Sequence, residues 1–347
     1  MGGNALRNVP TRRYEKDEYE LAVKEVSKII TDVLGVNRRF GPIQPVKLKD
    51  SFGDMDVLIE KKYESSSFLG DALSFVFEKV NTQLGYGFEC VKNSDVYSLN
   101  YKDLQVDLIF NDTKSYGYAR SYFSFNDQGN LVGRLAHKFG MKHGHRGLVI
   151  PVRSGTKELG EIVLTLDYEE TLYFLGLNVE QFKAGFDTVE EMFDWVSKSK
   201  YFNPSIYLFE NVNAVSRIRD KKRATYNKFL EYNKSYTGPV HEGFVSKADA
   251  MELVFDHFPM RVEEEFKELV AKAAVLEMGR LKFNGNIVRD LTGYENKELG
   301  EFMQYCKSNS KLFSPYMLYV TDQEKINESI LRLKERKENE LHKGSES

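Results

Sequence analysis

The sequence predicts an α+β protein, with a mixed sheet and flanking helices in the first half and a mainly helical second half. Three observations carry this. Short runs rich in β-branched and aromatic residues, bounded by Asn, Asp, Gly and Ser, cluster between residues 54 and 166. Helical periodicity then runs almost without interruption from residue 168 to 341. A hydrophobic content of 41% beside 29% charged residues, over 347 residues, suits a sizeable core in two or three domains.

Residues 14–35 carry Leu21, Val23, Val26, Ile29, Ile30 and Val33 at mixed three- and four-residue spacings, and Gly35 is a natural stop. The basic stretch 36–50, punctuated by Pro42 and Pro45, reads as a loop or irregular strand. A strand over Asp54–Glu60 leaves a turn containing Gly53, and 66–84 reads as a helix. Strands at 87–92, 96–100 and 104–110 are joined by turns at Asn93-Ser94-Asp95 and Lys102-Asp103. A mainly helical stretch at 115–142, weakened by Gly129 and Gly133, precedes a hairpin of strands 148–152 and 158–166 around Ser154-Gly155-Thr156. Thr188-Val189-Glu190-Glu191 is a capping box ahead of Met192, Phe193, Trp195 and Val196, and Ser246 with Asp249 is a weaker cap. Further helices are expected at 214–234, 246–257, 259–279, 296–307 and 323–341. The expected domains are a head at 1–167, a helical middle region at 168–245, a helical domain at 246–341 and a disordered tail at 342–347.

Charge and composition narrow the function classes. A formal charge of -3, from 49 Lys plus Arg and 52 Asp plus Glu, is no sign of nucleic-acid binding, although local basic faces are compatible with it. Cys90 and Cys306 are too few for a disulfide scaffold and suit a reducing compartment. No run approaches the ~18 apolar residues of a membrane helix. Arg7, Arg12 and Arg13 are followed by no apolar stretch of the kind a secretory leader has. The opening Met-Gly-Gly has Leu6 where a myristoylation signal needs Ser or Thr. The expected location is cytoplasmic, with no membrane partner.

The sharpest local signal is Asp54-Met55-Asp56. Alternation along a strand puts Asp54, Asp56, Leu58 and Glu60 on one face and Met55, Val57 and Ile59 on the other, the natural core face. Asp107 sits amid apolar residues in Leu104–Phe110, where a carboxylate is costly unless paired or bound to a cation. If these strands are neighbours, three carboxylates converge. Such a set suits Mg²⁺, with Mn²⁺ as a substitute, and two ions there would support in-line phosphoryl transfer. An isolated Asp-x-Asp after Gly is also a common turn, and some sugar transferases use it to hold a sugar nucleotide.

At these residues the sequence resembles the DNA polymerase beta-like nucleotidyltransferase superfamily, which implies a polymerase beta-like head. Asp54 and Asp56 match the family's Asp-x-Asp strand and Asp107 its third carboxylate, as catalytic and metal-binding residues. The family's Gly-Ser turn lies about ten residues earlier; Gly41-Pro42 stands there, and Ser51-Phe52-Gly53 lies next to the pair. Ser51 and Gly53 are therefore the candidates for the triphosphate turn. Phe283-Asn284-Gly285, Leu291-Thr292-Gly293 and Leu299-Gly300 loosely resemble a helical segment of CCA-adding enzymes and bacterial poly(A) polymerases. The nucleotide-selecting Glu-Asp-x-x-Arg motif of those enzymes is not evident, and Arg217-Ile218-Arg219-Asp220 has the wrong order. The chain also looks like phage-encoded nucleotidyltransferases that open Met-Gly-Gly-Asn-Ala-Leu, which would make the location the host cytoplasm.

Two basic stretches are the candidate phosphate contacts. Residues 128–157 contain no acid, and Arg134, Lys138 and Lys142 recur every four residues, a single helical face suited to the nucleotide's triphosphate or the acceptor backbone, or else an ordinary solvated face. His137, His143 and His145 match no zinc spacing and read as polar or phosphate-adjacent surface. Arg217, Arg219, Lys221, Lys222, Arg223 and Lys228 surround the single acid Asp220 and are the candidate acceptor-binding residues. Tyr201, Phe202 and Tyr207 are aromatics that either stack on a terminal base or fill the core.

The expected activity is transfer of NMP from an NTP such as ATP to the 3′-hydroxyl of an RNA end, tRNA being one candidate, with release of pyrophosphate. The alternatives are gap filling at a DNA 3′ end, nucleotidylation of a protein or small molecule, and a catalytically silent nucleic-acid-binding protein. Base identity, template use and oligomeric state are not legible.

Overall fold

The computed structural model describes residues 5–154, 157–242 and 247–345, in two units. The first comprises residues 1–150 and 163–258, the second 151–162 and 259–347. The fold is a mixed α+β arrangement with a helical C-terminal region.

In the first unit β1 (Tyr14–Glu15) leads into α1 (Lys16–Leu34), followed by β2 (Phe40–Pro42), β3 (Ser51–Phe52), β4 (Asp54–Lys61) and α2 (Ser66–Gln83). Then come β5 (Cys90–Asn93), β6 (Val96–Tyr101) and β7 (Leu104–Asp112). Five of these strands form one sheet in the order β2-β4-β7-β6-β5. β4 and β7 run parallel, joined through α2, and the other pairs are antiparallel. Ser65 caps α2 by accepting a hydrogen bond from the Phe68 N–H at 3.2 Å.

Each sheet face has its own core, as the alternation requires. Met55, Val57 and Ile59 pack with Val106, Leu108 and Phe110 against Val26 and Ile30 of α1 and Leu73 and Phe77 of α2. Leu21, counted by spacing among the buried set, is 55% exposed. On the other face Leu58 and Ile109 meet Tyr116 and Ala119 of α3 (Tyr116–Phe123), leaving the Asp54 end of that face outside the cluster. Gly70 is needed on α2 because a Cβ there would stand 2.4 Å from the Tyr97 ring.

The expected helix over 115–142 is divided. After α3 the chain turns through Phe125 and Asn126, both left-handed, and restarts as α4 (Gln128–Lys138) before the strand β8 (Lys142–Gly144). The break lies upstream of the glycines expected to weaken the helix. Gly129 instead lets the two helices touch, since a Cβ would sit 2.3 Å from the Tyr122 carbonyl oxygen. β9 (Gly147–Ser154) and β10 (Lys157–Thr165) follow, and their expected turn includes Gly155 and Thr156, outside the described residues.

α5 (Tyr168–Phe174), α6 (Val179–Ala184), α7 (Val189–Ser197), α8 (Ala214–Asp220), α9 (Ala224–Lys234) and α10 (Lys247–His257) complete the first unit. The Thr188 hydroxyl caps α7 through the Glu191 N–H at 3.1 Å. The cap expected at Ser246 lies outside the described residues.

The second unit carries α11 (Met260–Lys282), α12 (Gly285–Thr292), α13 (Asn296–Asn309), α14 (Pro315–Val320) and α15 (Gln323–Ser345) around Val288, Phe302, Cys306 and Ile330. The tail expected from 342 is helical through Ser345, and residues 346–347 lie outside the described residues. The downstream motif has structural work in this unit. The Asn284 side chain accepts the Asn286 and Ile287 N–H groups at 3.0 and 3.2 Å, and Gly293 ends α12 at φ +75°.

Candidate active site

Asp54 and Asp56 lie on the face of β4 away from the main core, where the strand leaves the turn at Gly53. The parallel register sets Asp56 directly beside Asp107, and Asp54 beside Gln105. Adjacent strands are about 4.8 Å apart, so the three carboxylates are neighbours. Asp54 and Asp56 line a cleft of about 1050 Å³. Asp107 lies behind them, 2% exposed and outside the lining, with the Gln105 amide donating to its two oxygens at 3.0 and 3.2 Å.

The electrostatics follow from this crowding. Burial, then the charges of Asp107 and Asp54, push the Asp56 carboxyl up to about 7. Burial also raises Asp107, against a hydrogen bond from Ser98. Asp56 Oδ1 is buried without a hydrogen-bond partner. A hard divalent cation would relieve both the orphaned oxygen and the like-charge repulsion, so the donor chemistry fits Mg²⁺. Among the described residues, no three His, Cys, Asp or Glu side chains are grouped to hold a metal as they stand.

Ser51 and Gly53 do not form a helix-starting phosphate turn. Ser51 is in β3, paired with β1, and neither residue lines the cleft. The Ser51 hydroxyl instead meets Arg13 Nε and Nη2 at 3.2 and 3.1 Å, while its carbonyl accepts from Nη2 at 2.8 Å. Arg13 itself lines the cleft, as does Lys49, whose pKa burial lowers against the pull of Asp54 and Asp56. Tyr19 stacks on Phe52 at 3.8 Å and lines the cleft as well.

The row Arg134, Lys138 and Lys142 is not one helical face. α4 ends at Lys138, and Lys142 belongs to β8. Arg134 is 5% exposed and paired with the fully buried Asp220, so it faces the interior and cannot reach a nucleotide there. None of the three lines the cleft. His143 is not surface either. Burial lowers its pKa to about 4, and its Nδ1 donates to the Gly129 carbonyl at 3.0 Å.

The second basic run is split by a break between α8 and α9. Arg219, Lys222 and Arg223 line the same cleft as Asp54 and Asp56. Arg217 donates to the Val212 carbonyl at 3.3 Å, Lys221 lies over the Phe209 ring at 5.7 Å, and neither these two nor Lys228 lines the cleft. The break is anchored by Asp220, which accepts from Arg134, from Arg219 Nε at 2.9 Å and from Asn130 Nδ2 at 3.3 Å. Burial opposes its ionisation, but the two guanidinium groups outweigh that and hold its pKa below the usual range. Phe202 and Tyr207 are core residues, 1% and 0% exposed.

Sequence spacing missed the rim formed by Tyr122, Asn126, Asp127 and Asn130. The only local signal was the Asn-Asp pair in a predicted helix, a favourable place for a break.

No protein-family profile and no curated protein matches this chain. Among solved structures, Leishmania infantum polymerase beta in a ternary P/T complex is similar at 16% identity and a TM-score of 0.34. The match covers 54% of this chain and 73% of that one. No helix among the described residues is long and apolar enough to cross a membrane.

Proposed function

We propose that the cleft transfers NMP from an NTP to the 3′-hydroxyl of an RNA end, tRNA being one candidate, and releases pyrophosphate. The carrying observation is a single cleft lined by two crowded carboxylates, Asp54 and Asp56, and by the cations Arg219, Lys222 and Arg223. The buried Asp56 oxygen without a hydrogen-bond partner, crowded by the charges of Asp107 and Asp54, suits metal ions, while the cations suit phosphates.

Asp54, Asp56 and Asp107 would hold the divalent cations, which when bound neutralise the triphosphate and acidify the acceptor hydroxyl. Arg13 and Lys49 add positive charge beside the carboxylates. Arg219, Lys222 and Arg223 would orient phosphates, and most of the acceleration is positioning and charge stabilisation. The hydroxyl oxygen bonds to the α-phosphorus as the bond to the bridging oxygen breaks. The hydroxyl proton passes to a carboxylate oxygen of Asp56, which lines the cleft and whose burial-raised pKa favours that role.

The test incubates the protein with labelled NTPs and Mg²⁺ or Mn²⁺ over mixed tRNA, RNA and DNA 3′ ends. Label on RNA is expected, and its loss in Asp56→Asn and Asp107→Asn variants that retain wild-type circular dichroism. Label on DNA, or on protein or a small molecule, would reassign the acceptor. No label with any acceptor, metal or nucleotide would leave a catalytically silent binding protein.

A further inference from the structure

The charged groups of the cleft account for the phosphates of a nucleotide but leave its base without a partner. The same lining contains an uncharged rim. Val215 and Ile218 are 79% and 65% exposed, and both line the cleft from the otherwise basic α8. Large apolar side chains in that position serve no core. Tyr122 and Asn126 line the cleft as well.

Asn126 is presented there by a constrained turn. Phe125 and Asn126 have φ of +57° and +62°, and for a bulky residue such as Phe that conformation is a genuine outlier. The surroundings impose it. The Phe125 ring packs against Phe182 and Phe186 at centroid distances of 5.6 and 5.0 Å, and its N–H donates to the Gln44 carbonyl at 2.8 Å. On the other side Asp127 is ion-paired with Arg223. Asn126 is exposed between these anchors, and its side-chain amide has no partner among the described residues. Strained backbone clusters at active sites and ligand clamps, and this turn sets Asn126 and Asp127 in the cleft lining.

We propose that Asn126 reads the base of the incoming nucleotide, with Val215 and Ile218 as the apolar shelf on which that base lies. This rests on the nucleotide reading above and adds its specificity determinant. The amide offers one acceptor and two donors, enough for a bidentate contact with a base edge. A site built to hydrogen-bond a base rejects bases that leave its amide unpaired.

Asn is also simply well suited to left-handed backbone, and the choice of variants separates the two roles. Asn126→Gly keeps the backbone conformation and removes the amide; Asn126→Asp keeps the shape and removes the donors. Binding of each of the four NTPs is measured with Ca²⁺ in place of Mg²⁺, and in parallel the four are competed in the transfer assay. Wild type should prefer one base by at least ~10-fold. Asn126→Gly should lose that preference with little change in binding of inorganic triphosphate, and Asn126→Asp should alter the order of the bases. Wild-type affinities equal for all four bases, or an unchanged preference in Asn126→Gly, overturn the assignment, as does the absence of any nucleotide binding. Base preference lost in Asn126→Gly without transfer by wild type would sustain the base contact and sink only the catalytic reading.

Discussion

Replacing Asp56 with Asn tests the electrostatics of the cleft most directly. Burial and the neighbouring Asp107 and Asp54 move this carboxyl from 3.8 to about 7. At about 1.4 kcal/mol per pH unit, a rise of that size is worth at most about 4 kcal/mol. Sharing of the proton with Asp107 and partial solvation reduce the expected effect to about 2 kcal/mol. The folded protein holds the proton more tightly than the unfolded chain does. The contribution is therefore complete below about pH 4 and is lost as pH rises through about 7. Asp56→Asn should be more stable than wild type by about 2 kcal/mol at pH 8 in metal-free buffer, and the difference should shrink towards pH 4. His143 works in the opposite sense: burial lowers it from 6.5 to about 4, so its contribution is lost as pH falls through that range. Subtracting the two proteins at each pH removes this. Trp195 is the sole tryptophan, 0% exposed in the first unit, so its fluorescence during urea unfolding reports on that unit alone. Millimolar Mg²⁺ should stabilise wild type at pH 8 and leave the variant unchanged. A variant less stable than wild type at pH 8 without metal would refute the reasoning, since the carboxylate would then have a stabilising partner.

Arg134→Ala should cost roughly 3 kcal/mol by leaving Asp220 in the interior with one guanidinium fewer, measured as a lower urea midpoint; a change under 0.5 kcal/mol would show that Arg219 and Asn130 suffice. Lys222→Ala should weaken binding of single-stranded RNA and reduce the salt slope by about 1, whereas Lys228→Ala should leave both unchanged; equal effects would mean that the cleft does not select among the basic residues. Gly70→Ala should destabilise by about 1–3 kcal/mol, because Tyr97 is 2% exposed and has little room to yield; wild-type thermal stability would show that α2 shifts freely. Ser51→Ala should weaken NTP binding a few-fold through its effect on Arg13 while preserving the fold, and an unchanged affinity would remove Arg13 from the site.

The local chemistry of the chain was sufficient for much of this protein. Alternation after Gly53 determined that Asp54 and Asp56 share a face and that Met55, Val57 and Ile59 are buried, because the pleat allows nothing else. Thr188 announced its helix in the same way. What sequence spacing could not determine was which strands are neighbours and which cations face which cavity. Asp107 stands beside Asp56 because β7 pairs in parallel with β4, fifty-one residues later in the chain. Arg134 looked like part of an open basic row, but Asp220, distant in sequence, draws it into the interior. The break that turns Asn126 towards the cleft is held by Phe182, Phe186 and Gln44, none of them its neighbour in sequence. Periodicity records which side of an element is apolar. Only the assembled fold decides what stands on the other side, because a charge's role depends on the groups that approach it from elsewhere in the chain.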